Sequence, residues 1–316
     1  MNYTDHTPNF HRNASALIGK LKAWYPSSLP ILSFLTARLK KSKLQLNELD
    51  FRVFSDSESA ESSRIIWLHL KFKLSSIGVL QFAADPLTDD NASYLTKCIR
   101  VFFDSGTATR MCRNSSMLIG PSDHLTLLAD SLESGHMVRF GTAVSRLCYM
   151  TDASVMRAKQ DEMVPPPDEF YLDQLRSDDL QIVVDTYPDL DWFGPNNGNS
   201  WFSSLIECMP NVCYRQSSDN RLVAFDLLMP TGALHHLYID PDYRRRGLAN
   251  MLQKRFIQNV LTSTDASGCP LMLHKHIMEA KSANMAFVTK SRVQAELWTL
   301  SDQKFTWMRF EPDPIV

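Results

Sequence analysis

Three consecutive prolines, Pro165–Pro167, inside the stretch DEMVPPPDEF set the first limit on how this chain folds. Proline fixes its φ angle and carries no N–H, so the run can neither continue a helix nor donate to a sheet ladder. Residues 161–169 therefore read as a linker between one domain at 1–160 and a second at 170–316. With 316 residues, each unit is long enough to bury its own core. A composition of 44% hydrophobic and 22% charged residues excludes wholesale disorder.

Charge and cysteine usage exclude further classes. Thirty-three Lys and Arg against 35 Asp and Glu leave a net charge of -2, whereas a protein that wraps a nucleic-acid backbone is usually strongly basic. Nucleic acid is not an expected partner, and any phosphate site must be local. The most apolar stretches, Leu29 to Leu35 and Ile65 to Leu74, are broken by proline or basic residues, so no membrane span is expected. The cysteines at 98, 112, 148, 208, 213 and 269 form no C-x-x-C pair, which argues against a structural metal site. Cys208 and Cys213 read as buried small hydrophobes. The polar start MNYTDHTPNF has no secretory core, and an intracellular chain is expected. Only Asp5 is acidic in the first 46 residues, as in mitochondrial transit peptides, but Pro26 and Pro30 interrupt a long amphipathic helix, so cytoplasmic and mitochondrial locations both stay open.

Before the linker, Ile66, Leu68, Leu70, Phe72 and Leu74 alternate as in a strand, Tyr94 to Phe103 fits a strand or a buried helix, and Pro121 to Leu132 is helical with Ser122 as its cap. After it, strands are expected at 170–175, 211–215, 222–229, 233–239 and 271–277, with a hairpin turn at SSDN. Helices are expected from Ser177 toward Tyr187, over 200–209, over 244–261 with Leu248, Met251, Leu252, Phe256 and Val260 on one stripe, and over 282–290. Val293 to Leu300 and Phe305 to Phe310 read as a closing pair of strands. The fold class is α/β, layered, with a mixed, mostly antiparallel sheet of about seven strands and helices on both faces. No internal repeat is legible. Trp192, Phe193, Trp201 and Phe202 flank PNNGN, which reads as a loop beside core aromatics.

The chemistry-bearing segment is LYIDPDYRRRGLANML, residues 237–252. A strand ends at a Pro turn, Asp240 and Asp242 act as turn formers, and a helix begins at Arg244-Arg245-Arg246-Gly247-Leu248-Ala249. Unpaired N–H groups and the positive dipole end at a helix entrance attract an anion. Gly247 allows close backbone approach, Ala249 keeps that face low, and the arginines add charge, with Lys254 and Arg255 further along. Three arginines alone are more often a solvated surface. Their position after hairpin strands and before an amphipathic helix resembles motif A of the GCN5-related N-acetyltransferase fold, which holds the coenzyme A pyrophosphate on R/Q-x-x-G-x-G/A.

A narrower resemblance covers nearly the whole chain. IECMPNVCYRQ, RLVAFDLLMPTG, PDYRRRGL, SANMAF and FTWMRFEP look like the glycine N-acyltransferase family, and YPSSLP, LTDDNASYLTKCIRVFF and RLCYMTDASVMRA resemble that family's degenerate first domain. The resemblance implies an acyl-CoA N-acyltransferase fold preceded by a degenerate domain of similar type. It also implies an enzyme, expected to be a monomer, that moves an acyl group from acyl-coenzyme A to the amine of glycine or another small amino acid, without a metal. Backbone groups of Leu237, Tyr238 and Ile239 would pair with the pantetheine arm where the strands at 233–239 and 271–277 splay apart.

The family's T-G-E-M pattern carries a glutamate as general base, but here the residues are Thr231-Gly232-Ala233-Leu234. His235, two residues on along a strand and on the same face, is the nearest substitute, acting directly or through a water. Adjacent His235 and His236 cannot both face the cleft of a regular strand; His274 and His276 are weaker candidates. The wider fold's acid, a tyrosine seven residues after a helical Asn, would fall at Ser291, counted from Asn284, which itself either contacts the coenzyme or caps its helix. Loss of both usual proton-handling residues leaves a second reading open: a non-catalytic acyl-coenzyme A sensor or interaction module.

Overall fold

The computed structural model describes residues 3–40, 46–75, 77–104, 116–126, 137–162, 165–187, 197–265 and 272–312. One succession of elements runs through it twice. The first half contains β1 (Thr4–Asp5), α1 (Phe10–Ala23), α2 (Leu29–Leu39), β2 (Leu49–Ser55), β3 (Ile65–Phe72), β4 (Gly78–Ala84), α3 (Asp89–Asp104), β5 (Ser116–Pro121), α4 (Ser122–Thr126) and β6 (Met137–Tyr149). Helix α5 (Asp152–Gln160) leads to the prolines. The second half repeats the order: β7 (Phe170–Asp173), α6 (Leu180–Asp185), α7 (Asn197–Cys208), β8 (Asn211–Gln216), β9 (Leu222–Leu227), β10 (Tyr238–Ile239), α8 (Leu248–Asp265), β11 (His274–Met278), α9 (Ser282–Lys290), α10 (Arg292–Leu297) and β12 (Thr299–Pro312). The repeat lies in the order of elements, not in residue identities, so the sequence alone does not display it.

Local patterning explains most elements. In α1 the buried residues Phe10, Ala14, Leu17 and Leu21 recur every three or four positions along one face. Helix α8 buries Leu248, Leu252, Phe256 and Val260 as the periodicity predicts, with Met251 half-buried at the edge. Strand β3 is buried on both faces: Ile66, Leu68, Leu70 and Phe72 enter the main core, while Ile65 and Trp67 enter a second cluster under α3. Trp67 stacks there on Phe102 at 4.3 Å. Residues 94–103, open between strand and helix on periodicity, are helical because Leu95, Cys98, Ile99 and Phe102 form the stripe that meets that cluster.

The structure corrects several expectations. Leu74 lies beyond the end of β3 and is exposed. Residues 292–297, expected as a strand, are helical because the Ser291 hydroxyl accepts the Gln294 N–H and caps a turn. The final expected strand grows to Thr299–Pro312, with register shifts between Leu300 and Lys304 and between Arg309 and Phe310. The helix starting at Ser122 is described only to Thr126; the rest of that expectation lies outside the described residues, as do Trp192 and Phe193.

Strand order is where the two halves meet. One sheet runs β1-β2-β3-β4-β5-β12-β6-β11, and a second runs β10-β9-β8-β7. The closing strand of each half thus lies next to the fifth strand of the other: β12 pairs with β5, and β6 pairs with β11. Between them β6 and β12 share an antiparallel ladder from Thr299 opposite Tyr149 to Pro312 opposite Met137. Trp307 on β12 is buried and donates its indole N–H to the Ser145 hydroxyl of β6 at 2.8 Å. Across the same boundary, Phe72 of β3 meets Trp201 of α7 with ring centroids 5.1 Å apart.

Such interlocking predicts one cooperative unit. Urea unfolding followed by far-UV circular dichroism and by tryptophan fluorescence should give superimposable curves, and Trp307→Ala should shift both together by roughly 3–5 kcal/mol. Two separated transitions would show that the halves fold independently of the shared ladder.

Candidate functional site

The second half contains an opening in its sheet. Residues before β10 touch β11 through a parallel bridge between Ala233 and His274, with Leu234 N–H on His274 C=O at 2.8 Å and His274 N–H on Gly232 C=O at 3.2 Å. Beyond that point β10 pairs only with β9, so the two parallel segments diverge and β10 becomes a sheet edge. Asp240 N–H bonds Val223 C=O at 2.8 Å, which assigns residue 240 to the paired positions. By alternation, the N–H and C=O groups of Ile239 face away from β9.

A β-bulge sits at the throat of this opening. Leu234 bridges Leu228, while Tyr238 pairs with Phe225, so 235–237 oppose only 226 and 227. The expected regular strand at 233–239 is therefore interrupted. The extra residue removes strict alternation, and both His235 and His236 line the cavity, contrary to the expectation that only one could.

The opening is a cavity of about 600 Å³. Ala233, His235, His236, Leu237 and Tyr238 line one wall, and Lys275, His276 and Ile277 of β11 the other. Asn284 and Phe287 of α9 flank it. Gln81, Ile119 and Trp307 add a floor from the sheet that contains the first half. A second cavity, of about 260 Å³, is lined by Ile239, Arg245, Gly247, Leu248 and Ala249, and the two share Arg244 and Phe287. The two cavities therefore adjoin between the start of α8 and the opening in the sheet.

At that helix start the backbone takes left-handed values at Arg245, φ 62°, and at Gly247, φ 81°. Arg245 bears a side chain in a conformation disfavoured for L-residues, a strain characteristic of binding turns. A Cβ on Gly247 would meet nothing within 4 Å, so the space in front of the turn is open. Helix α8 begins at Leu248, not at Arg244, which leaves the arginines in the turn itself. Asn250 and Met251 are the first to donate back to Gly247 C=O, so the N–H groups of Leu248 and Ala249 precede the helical ladder. Arg244 donates Nε–H to Ile239 C=O at 3.0 Å, tying the turn to β10. Arg246 turns to Glu169 at 3.3 Å and lies over the Tyr243 ring, whereas exposed Arg245 has no ion pair among the described residues.

The remaining sequence candidates separate. Asn284 is not a helix cap, since Lys281 holds that position in α9, and it lines the cavity. Ser291 lies apart from the lining; besides capping α10 it donates to Asn250 Oδ1 at 3.2 Å. His274 is fully buried with Nδ1–H on Met272 C=O at 3.0 Å, and His276 meets the Ser145 hydroxyl at 3.2 Å. Among the described residues no group of His, Cys, Asp or Glu is arranged to hold a metal ion, and no helix is long and apolar enough to cross a membrane.

Sequence reasoning missed the polar groups behind the cavity. Asp226 of β9 and Lys275 of β11 are both buried and both line it, joined through the Gln253 side chain of α8. Burial pushes the Asp226 carboxyl up to about 7, against hydrogen bonds from Gln253 and Leu227 N–H. Burial pulls the Lys275 ammonium down to about 7, opposed by Cys148 and Asp226. An Asp in LVAFDLL and a Lys in LMLHKHI, each inside an apolar strand run, were the available signal.

The equivalent position of the first half is built differently. There β4 and β5 stay paired in parallel from Gly78 opposite Ser116 to Gln81 opposite Ile119. The following helix, α3, opens with Asp89 and Asp90 in its first turn, which disfavour an anion there, whereas the turn before α8 carries three arginines.

No protein-family model matches the chain, and no curated protein matches it in sequence. Solved structures do match in shape. A Drosophila protein of known X-ray structure superposes with a TM-score of 0.70 at 14% identity, over 96% of this chain and 97% of that one. The tandem GCN5-related N-acetyltransferase protein of the clavulanic acid biosynthesis pathway, solved without acetyl-CoA, gives 0.52 at 10% identity over 98% and 97%. The chain thus has the acyl-CoA N-acyltransferase fold in tandem.

The site's histidines make acid stability a direct readout. Burial holds His236 down to about 3 and His274 to about 4, so the unfolded chain binds protons below pH 6.5 that the folded chain refuses. Each should remove on the order of 2 kcal/mol of stability between pH 7 and 5, while Asp226, raised in the folded state, acts in the opposite sense. Urea midpoints for His236→Gln should accordingly lose about 2 kcal/mol less than wild type over that range; equal losses would show that His236 titrates normally.

Proposed function

We propose that this protein is an acyl-coenzyme A dependent N-acyltransferase that delivers the acyl group to the amine of glycine or another small amino acid. The observation that carries the reading is the pair of adjoining cavities that lead from the Arg245–Ala249 turn, past the outer edge of β10 at Ile239, to the opening beside His235. Its parts fit the parts of an acyl-coenzyme A. The left-handed turn and the first N–H groups of α8, with exposed Arg245 beside them, suit a pyrophosphate. A strand edge suits the amides of a pantetheine arm, with Asn284 on the opposite side. The thioester would then lie where the strands part, and the acceptor would enter over the floor formed by Gln81, Ile119 and Trp307.

In this reading the amine attacks the thioester carbonyl directly. His235, or a water it holds, takes the ammonium proton first; the buried ring of His236, kept neutral and donating toward Thr186 C=O at 3.3 Å, positions the bulge. The division into domains at 1–160 and 170–316 remains part of the proposal, with the first contributing the acceptor floor instead of a coenzyme site of its own. The glycine N-acyltransferase resemblance of the sequence supports the choice of acceptor.

A second reading, a non-catalytic acyl-coenzyme A binding module, is favoured by Ala233 lining the cavity where a carboxylate would serve as base, and by Ser291 acting as a cap. Free-thiol release measured across a panel of acyl-coenzyme A donors and amino acids decides between them. The enzyme reading expects turnover in wild type and a fall of at least about 100-fold in His235→Ala with coenzyme A affinity retained. Negligible wild-type turnover that rises sharply in Ala233→Glu would establish the binding module. Gly247→Trp should weaken coenzyme A binding at least about tenfold by calorimetry, about 1.4 kcal/mol; unchanged affinity would remove the phosphate cradle.

A further inference from the structure

Lys275 has no part in the cradle or in deprotonating the amine, yet it is held by a chain of side-chain hydrogen bonds at the cavity. Its Nζ donates to Gln253 Oε1 and to Gln294 Oε1, both at 3.0 Å. Each glutamine is held with its oxygen toward the lysine because its own NH2 is taken: Gln253 donates to Asp226 Oδ2 at 3.2 Å, and Gln294 to Asn250 Oδ1 at 3.0 Å. The Trp298 ring lies 4.3 Å from Nζ. Ser291, at the position where sequence comparison seeks an acid, touches the same assembly at Asn250 Oδ1 and at the Gln294 backbone N–H, with no hydrogen bond to Lys275 itself among the described residues.

Taking an ammonium out of water costs several kcal/mol even when it is paired, so a buried lysine facing a cavity calls for a reason beyond packing. Among the lysines and arginines lining this cavity, Lys275 is buried, whereas Arg244 is exposed and Lys281 half-buried. Thioester aminolysis creates a need that such a group meets. An alkyl thiolate, basic to about pH 8.5, is released into a site poor in water and is costly there without a proton or a counter-charge.

Building on the acyl-transfer reading, we propose that Lys275 is the catalytic acid that protonates the departing coenzyme thiolate, with Asp226 and Gln253 as positioning residues that keep its ammonium charged and aimed. The C–N bond forms as the C–S bond breaks, and the sulfur leaves with the bonding pair. It takes a proton from Nζ, and the neutral lysine recovers the proton shed by the new amide nitrogen. The only net proton released is the one first removed from the acceptor ammonium. Asp226 from β9 and Cys148 from β6 are the titratable groups bearing on Lys275; α8, α9 and α10 present Gln253, Phe287 and Gln294, all uncharged. A lysine that titrates near neutrality is matched to this task.

Thiol release should be followed from pH 5.5 to 9 in wild type, Lys275→Met and Asp226→Asn, with coenzyme A affinity measured by calorimetry on the same proteins. Wild type should lose kcat above neutrality as Lys275 deprotonates. Lys275→Met should lose on the order of 100-fold in kcat, keep its coenzyme A affinity within about threefold and no longer show that alkaline limb. Asp226→Asn should move the limb to lower pH, because the carboxylate favours the charged lysine. Wild-type kcat and an unchanged profile in Lys275→Met overturn the proposal. Should that variant not fold, a wild-type profile without an alkaline limb, or a limb unmoved in Asp226→Asn, overturns it equally. Wild type that binds coenzyme A but releases no thiol would instead overturn the acyl-transfer reading, and this assignment with it.

Discussion

Strands β6 and β12 pair over nearly their whole lengths, and the floor of the cavity depends on that ladder. An antiparallel pair of this length fixes register strongly, because a one-residue slip would turn Trp307 and Phe305 out of the core. By standing between β5 and β11 the pair carries the first half's sheet up to the second half's opening. Gln81, Ile119 and Trp307 can therefore form a floor for a cavity whose walls are residues 233–238 and β11.

The same architecture, used twice, has been given different chemistry in each half. Parallel strands at the edge of a repeat can stay paired, as β4 and β5 do, or part after a single bridge, as residues 233 and 274 do. Parting leaves backbone donors and acceptors without partners, which is costly in a core and useful beside a ligand. The bulge at 235–237 widens the gap and brings two adjacent histidines to one side. In the first half the corresponding strand end leads into an acidic helix start, so its contribution is a packed surface.

Much of this was legible from residue order. Periodicity located α8 and α9, and the Pro-turn, Arg/Gly and amphipathic run in 237–252 singled out the turn that lines a cavity adjoining the opening. What escaped notice depends on contacts between distant segments. The bulge appears only when β10 is set against β9; the buried Asp226–Gln253–Lys275 chain draws on three elements; and the helix at 292–297 owes its start to one hydroxyl in an otherwise strand-like run. The placement of β12 between β5 and β6 has no local signature at all.

That placement shapes how the protein is made. When a ribosome has finished residue 149, β5 still lacks the neighbour that will cover its open side, because that neighbour is residues 299–312. At elongation rates of about 5–20 residues per second, the first half waits on the order of ten seconds or more with an exposed strand edge. Nascent chains of this design therefore carry a pairing-competent edge through that interval, and a premature stop before residue 299 would leave both halves, not merely the second, without a completed sheet.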